Sequence, residues 1–304
     1  MGVREPAMQT IYPMRTVRAK AKQTGRTVGF DAFRRALVAL LVLGVFALCW
    51  AAADAARAQP AGPPVGMVEA PCPPPLSAPS PGESEADVAA RQEAAAQRRR
   101  NDWAGLCRHR AANATLGSTP VEAVFIGDSI TEFWEAAAPE LFRDGVINRG
   151  IGAQTSPQML VRFYPDVVAL HPRVVHILAG TNDVAGNSGP NRPEDFKNNI
   201  RAMTDLAQAN GIAVVIGAIP PADVFYWRPE LRPAAQIADL NAWLKTFAEA
   251  RGARFVDYHA AMAGPAGALK STLTADGVHP DARGFAVMTP LARAAIDAAL
   301  RNSR

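Results

Sequence analysis

Residues 121–131 read Val121-Glu122-Ala123-Val124-Phe125-Ile126-Gly127-Asp128-Ser129-Ile130-Thr131. The run Val121–Ile126 is short, mostly apolar on both faces and rich in Val and Ile, the composition of a strand buried inside a parallel sheet. Four further runs of this kind follow, at Val146–Asn148, Val174–Ala179, Ala213–Ala218 and Arg254–Val256. Between them the pattern changes to helix, near Phe133–Phe142, Ser156–Phe163, Pro193–Asn210 and Pro233–Arg251, and a last helix is expected over Ala282–Arg301. Asn210-Gly211 and Arg251-Gly252 supply stop signals for the third and fourth of these. Strand and helix in strict alternation predict an α/β fold, an open parallel sheet with helices on both faces. Ligands in such sheets bind beyond the carboxyl ends of the strands, so chemistry is to be sought in the residues that follow each strand.

Upstream, the sequence changes character. The net charge of +4 is unevenly spread: residues 1–58 hold nine Lys/Arg against three acidic residues, leaving 23 against 25 for the remainder. The basic excess therefore belongs to the N-terminus, and nothing downstream has the footprint of a nucleic-acid binder. Arg15, Arg18, Lys20, Lys22, Arg26, Arg34 and Arg35 precede an apolar run, Ala36–Ala53, and Ala56-Arg57-Ala58 places small residues before a cleavage point. This reads as an export signal over residues 1–58, with a mature chain beginning at Gln59 and a periplasmic or extracellular destination. The run is also just long enough to act as an uncleaved membrane anchor. Residues 59–84, rich in Pro, Ala, Gly and Ser, form a linker, and residues 85–115 form an extension whose Ala, Gln, Glu and Arg content favours helix. Cys49 would leave with the leader. Cys72 and Cys107 remain as a candidate disulfide in an oxidising compartment. No Cys/His spacing suggests a metal site.

Four short blocks follow the strands or precede the last helix. Gly127-Asp128-Ser129 puts a hydroxyl at a strand-to-helix turn, although Asp-Ser there is also a common helix cap. Asn148-Arg149-Gly150-Ile151-Gly152-Ala153 brings backbone amides close to any ligand, or is simply a glycine-containing turn. Gly180-Thr181-Asn182-Asp183 offers an amide donor to an oxyanion, or turn chemistry alone. Asp276-Gly277-Val278-His279 places a carboxylate three residues before an imidazole, close enough to fold back and orient it as a base. Of the other histidines, His176 falls inside a strand, His109 on the N-terminal helix and His171 in a loop. His259, two residues after Asp257, is the remaining rival.

Taken in order, the blocks resemble the SGNH (GDSL-type) hydrolase family, over about Val121–Arg301. The resemblance implies a hydrolase domain over residues 116–304, folded as a flavodoxin-like three-layer α/β/α sandwich with a five-stranded parallel sheet in the order 2-1-3-4-5. It also implies ester or thioester hydrolysis without a cofactor. By position it makes Ser129 the nucleophile, His279 the base, Asp276 its orienting group, and Ser129, Ala153 and Asn182 the oxyanion donors. Ala153 stands where the family has glycine, so Gly152 is an alternative donor. Asp128, Gly152 and Trp227 are candidate substrate contacts, Trp227 lying in the aromatic stretch Phe225-Tyr226-Trp227 after the fourth strand. A small-molecule or glycan ester is the expected substrate, with short acyl groups such as acetyl on carbohydrate preferred. The rival readings are an O-acyltransferase on envelope polysaccharide and a catalytically silent carbohydrate-binding protein of the same fold.

Overall fold

A computed structural model describes Cys72, residues 82–189 and residues 191–302. The expected leader with Cys49, and most of the linker, lie outside these residues. The extension folds as α1 (Glu85–Asn101) and α2 (Arg110–Leu116). The domain then runs β1 (Ala123–Gly127), α3 (Ser129–Ala137), β2 (Val146–Gly150), α4 (Ser156–Asp166), β3 (Val174–Leu178), α5 (Thr181–Ala185), α6 (Pro193–Ala209), β4 (Ala213–Gly217), α7 (Ala234–Ala250), β5 (Arg254–Val256), α8 (Tyr258–Met262) and α9 (Ala282–Asn302). The strands form one parallel sheet in the order β2-β1-β3-β4-β5, the expected topology.

The three layers follow from the two-residue period of the strands. Val124 and Ile126 of β1, Val175 and Ile177 of β3, and Val214 and Ile216 of β4 face one way. They pack with Met159 and Phe163 of α4, Phe196, Ile200 and Met203 of α6, and Ile237, Leu240 and Leu244 of α7. Ala123, Phe125, Val174, Leu178 and Val215 face the other way, against Ile130 and Trp134 of α3 and Phe285, Met288, Ala292 and Ile296 of α9. Trp134 is fully buried, with its indole N–H donating to Thr289 Oγ1 at 2.9 Å; removing such a side chain costs about 3–5 kcal/mol.

Two expectations need correction. The helix-favouring extension over residues 85–115 is not one helix, because the chain breaks after Asn101. Asp102 accepts hydrogen bonds from the N–H groups of Leu106 (2.7 Å) and Cys107 (2.9 Å), and Gly105 takes φ +70°. A local carboxylate offers the backbone a turn that competes with the helix. The helix expected near Phe133–Phe142 begins four residues earlier, at Ser129, because Asp128 Oδ1 caps it by accepting from Ile130 N at 3.0 Å. Hydrophobic periodicity does not register such a cap.

Cys72 and Cys107 are joined by a disulfide, with their Cα atoms 5.5 Å apart. The bond holds Cys72 to the loop between α1 and α2, and that loop packs on the domain. Gln154 Nε2 donates to Ala104 O (2.7 Å), Gln158 Nε2 to Trp103 O (2.6 Å), and Arg108 pairs with Glu132 (2.7 Å). From α2, Asn113 donates to Asp166 Oδ1 (2.8 Å) and accepts from Arg149 Nε (2.8 Å).

Candidate active site

The first turn of α3 meets the ends of β1 and β2 as closely as backbone can. A Cβ on Gly150 would overlap the Glu132 backbone, and one on Gly127 would strike Thr131. That approach sets Ser129 at the N-terminus of α3, where its own N–H has no intrahelical acceptor. Ser129 Oγ lies 2.9 Å from His279 Nε2, and His279 Nδ1 lies 2.7 Å from Asp276 Oδ2. Residues 150 positions apart are thus in hydrogen-bond contact.

The Asp276–His279 turn is over-determined. Asp276 Oδ1 accepts from the N–H groups of Val278 (2.9 Å) and His279 (2.8 Å), while Thr274 Oγ1 donates to His279 O at 2.7 Å. Partial burial pushes the Asp276 pKa up, but the hydrogen bonds from the His279 ring and from these N–H groups outweigh it, and the carboxyl stays below its usual range. An ionised Asp276 accepts a hydrogen bond from Nδ1–H, which leaves the Nε2 lone pair facing Ser129.

The remaining blocks surround the hydroxyl. Asn182, buried in the first turn of α5, is held at both ends of its amide: Nδ2 donates to Asp128 Oδ2 at 3.1 Å, and Oδ1 accepts from Asn187 Nδ2 at 2.5 Å. One Nδ2 hydrogen remains free. In the turn after β2, Gly152 N–H donates to Glu132 Oε2 at 2.7 Å. Ala153 adopts φ +61° and is exposed, and its N–H makes no hydrogen bond among the described residues. Gly152 is therefore occupied, and Ala153 carries the available amide.

Asp128 is turned into the interior. It is 1% exposed, both of its oxygens are engaged with Ile130 and Asn182, and burial pushes its pKa up to about 7. Its Oδ2 accepts from Asn182 Nδ2 and so holds that amide in place. Trp227 does stand at the site, its ring 6.5 Å from that of His279 and its Nε1 donating to Asn187 Oδ1 at 2.9 Å. Phe133 flanks the imidazole as well, at 5.7 Å. Of the other two aromatics after β4, Phe225 is buried beneath Trp227 and Tyr226 is exposed. His176 is buried against Tyr258 OH at 2.9 Å. The rival pair separates: Asp257 accepts from Ala260 N at 2.8 Å, and His259 Nε2 is buried without a partner.

A sequence profile of the GDSL-like Lipase/Acylhydrolase family matches residues 125–287. The chain belongs to that family. As a GDSL-like acylhydrolase it is a carboxylic ester hydrolase, and it is similar to solved structures of the same kind. A protein assigned as an acylhydrolase from Bacteroides fragilis is 43% identical, with a TM-score of 0.63 over 65% of this chain and 98% of that one. A GDSL-like lipase from Bacteroides thetaiotaomicron is 41% identical, with a TM-score of 0.62 over 64% and 98%. No curated protein matches the chain significantly.

Several supporting residues of this GDSL-like site are not visible in its motifs. Arg162, fully buried on α4, donates to Gly127 O (3.0 Å), to Gln154 Oε1 (2.6 Å) and to Asp166 (3.0 Å), tying the Ser129 turn to the Ala153 turn. Asp183 accepts from Ser156 N (3.0 Å) and Asn191 Nδ2 (2.5 Å), fixing the α5 turn beside Asn182. A charged residue on the inward face of α4, in line with Met159, Phe163 and Asp166, is the signal that would have found Arg162.

Proposed function

We propose that the protein is a serine esterase hydrolysing short-chain acyl esters, with acetyl groups on carbohydrate as the favoured substrate. Ser129, His279 and Asp276 form its triad, and the N–H groups of Ser129 and Ala153 with Asn182 Nδ2 form its oxyanion hole. The observation that carries this reading is the unbroken chain Ser129 Oγ, His279, Asp276 at 2.9 Å and 2.7 Å, with an unengaged amide at Ala153 beside it. His279 Nε2 takes the Ser129 proton as Oγ bonds to the acyl carbon, and the carbonyl oxygen becomes an oxyanion facing the three donors. Collapse breaks the bond to the alcohol oxygen, which receives the proton from His279. Water then bonds to the acyl carbon, giving its proton to His279. The acid leaves as Ser129 Oγ recovers a proton.

Ser129→Ala and His279→Ala should each remove nearly all hydrolysis of p-nitrophenyl acetate. Because triad members act as a unit, the double variant should be scarcely worse than either. Activity retained by Ser129→Ala ends the proposal. Product analysis with an added glycan acceptor separates hydrolysis from acyl transfer, and a folded wild-type chain that ignores a fluorophosphonate probe would instead be a silent binding protein.

Export belongs to the same proposal. The Cys72–Cys107 bond supports an oxidising compartment, and the secreted chain should begin at Gln59. N-terminal sequencing of the cell-free or periplasmic protein decides between cleavage there and an uncleaved anchor.

A further inference from the structure

Beside the oxyanion turn lies a cavity of about 510 Å³ to which the motif blocks contribute Ile151, Gly152 and Ala153. Its opposite wall is the disulfide-held loop of the extension, and Ser129 and His279 take no part in its lining. It therefore continues the site on the side of the Ala153 turn.

That wall is built and ordered. Asp102 folds the loop by accepting from the N–H groups of Leu106 and Cys107. Gln154 and Gln158 hold the carbonyls of Ala104 and Trp103. Arg108 is paired with Glu132, whose other oxygen holds Gly152 N–H, and the Cys72 bond closes the loop at its far end. Gly105 lies so close to Gln154 and Ile151 that a Cβ would sit 3.1 Å from each. Within this rigid frame the Trp103 indole is left 46% exposed at the cavity. Around it stand polar side chains, including Arg108, Gln158, Asn187 and Ser188. An exposed indole face surrounded by donors and acceptors suits a ligand with an apolar face and a hydroxylated edge.

We propose that this cavity is a saccharide subsite, in which a sugar unit of the ester substrate packs on Trp103 and exchanges hydrogen bonds with Arg108, Asn187 and Ser188. The proposal rests on the esterase reading, which it supplies with a substrate class. It also gives the disulfide a functional consequence, since Cys107 forms part of the wall.

The test uses the full mature chain and chemically acetylated xylo- and cellotetraose. The Ser129→Ala protein should bind these in calorimetric titration, and adding Trp103→Ala should weaken binding at least tenfold, with Trp103→Phe restoring most of it. In the Ser129 enzyme, the ratio of kcat/KM for the acetylated tetraoses to that for p-nitrophenyl acetate should fall at least tenfold on Trp103→Ala. The Cys72→Ser/Cys107→Ser pair should lower that ratio too, by loosening the wall. Equal losses on both substrates would mark Trp103 as a structural residue and overturn the subsite, as would tetraose binding indifferent to Trp103. An enzyme that hydrolyses p-nitrophenyl acetate while its Ser129→Ala form binds no tetraose overturns the subsite and leaves the esterase standing. Binding without any hydrolysis overturns the esterase and leaves the subsite.

Discussion

Ala153 is where the chain departs from the family glycine, and its backbone permits a sharp experiment. At φ +61° an L-residue is strained by about 1–2 kcal/mol relative to glycine. Ala153→Gly recovers that strain in the folded state but gives the unfolded chain about 0.4–1 kcal/mol of extra entropy to lose. The two partly offset, so stability should rise by roughly 0–1.6 kcal/mol. The N–H survives, so turnover should stay within about threefold of wild type. Ala153→Pro is a different perturbation. It deletes the N–H and demands a φ near −65°, on the other side of the Ramachandran plot from the observed value. Loss of one oxyanion donor should lower kcat by about 10²–10³, equivalent to roughly 2.7–4 kcal/mol. Steady-state hydrolysis of p-nitrophenyl acetate gives the turnover, and thermal melts of the same samples report whether the turn still folds. Gly152→Ala is the contrasting variant: its methyl would lie 2.8 Å from Glu132 Oε2, displacing a carboxylate that positions the turn, so it should cost activity although no donor is removed. A folded Ala153→Pro enzyme within tenfold of wild type would refute the assignment of this amide.

Asn182→Ala should lower kcat by about 10²–10³ with little change in KM, as for a contact made mainly in the transition state; steady-state kinetics on p-nitrophenyl acetate with an unchanged kcat would exclude Asn182 from the hole. The same change strips partners from Asp128 and Asn187, so urea melts should show a loss of about 1–3 kcal/mol. Asp128→Asn tests a charge effect. With a folded pKa near 7, Asp128 keeps its proton in the folded chain between about pH 4 and 7 after the unfolded chain has released its own. Its stabilising contribution is full below that window and is lost as pH rises through it, at about 1.4 kcal/mol per unit. The stability of Asp128→Asn relative to wild type should therefore increase from pH 4.5 to 7 and level off above 8. A difference independent of pH in paired urea melts would contradict this.

What the sequence discloses and what it conceals divide along one physical line. β1, β3 and β4 are legible because burial on both faces leaves an apolar run, broken only by His176 in β3, and the crossover rule then dictates where their ends lie. Ser129, Asn182 and the Asp276–His279 pair are legible for the same reason: each sits at a strand end or just before α9 and needs only its own local backbone to reach the site. The residues that hold them are not legible, because each acts across a crossover. Glu132 meets Gly152 from 20 positions away, Arg162 reaches Gly127 across 35, and Gln154 joins Ala104 across 50. No local pattern records such partners, and a glutamate on an exposed helical face reads only as a solvated charge. The loop at Trp103 is the extreme case. Its composition is that of an ordinary helix, yet Asp102 unwinds it, three side-chain contacts hold it against the domain beside Ala153, and the disulfide ties it to Cys72. The motif residues define the reaction, whereas the contacts reaching them from outside the motif shape the space in which a substrate must fit. Substrate preference in this chain is therefore to be looked for in residues 102–108, which the family profile does not cover, and not in the catalytic blocks that it does.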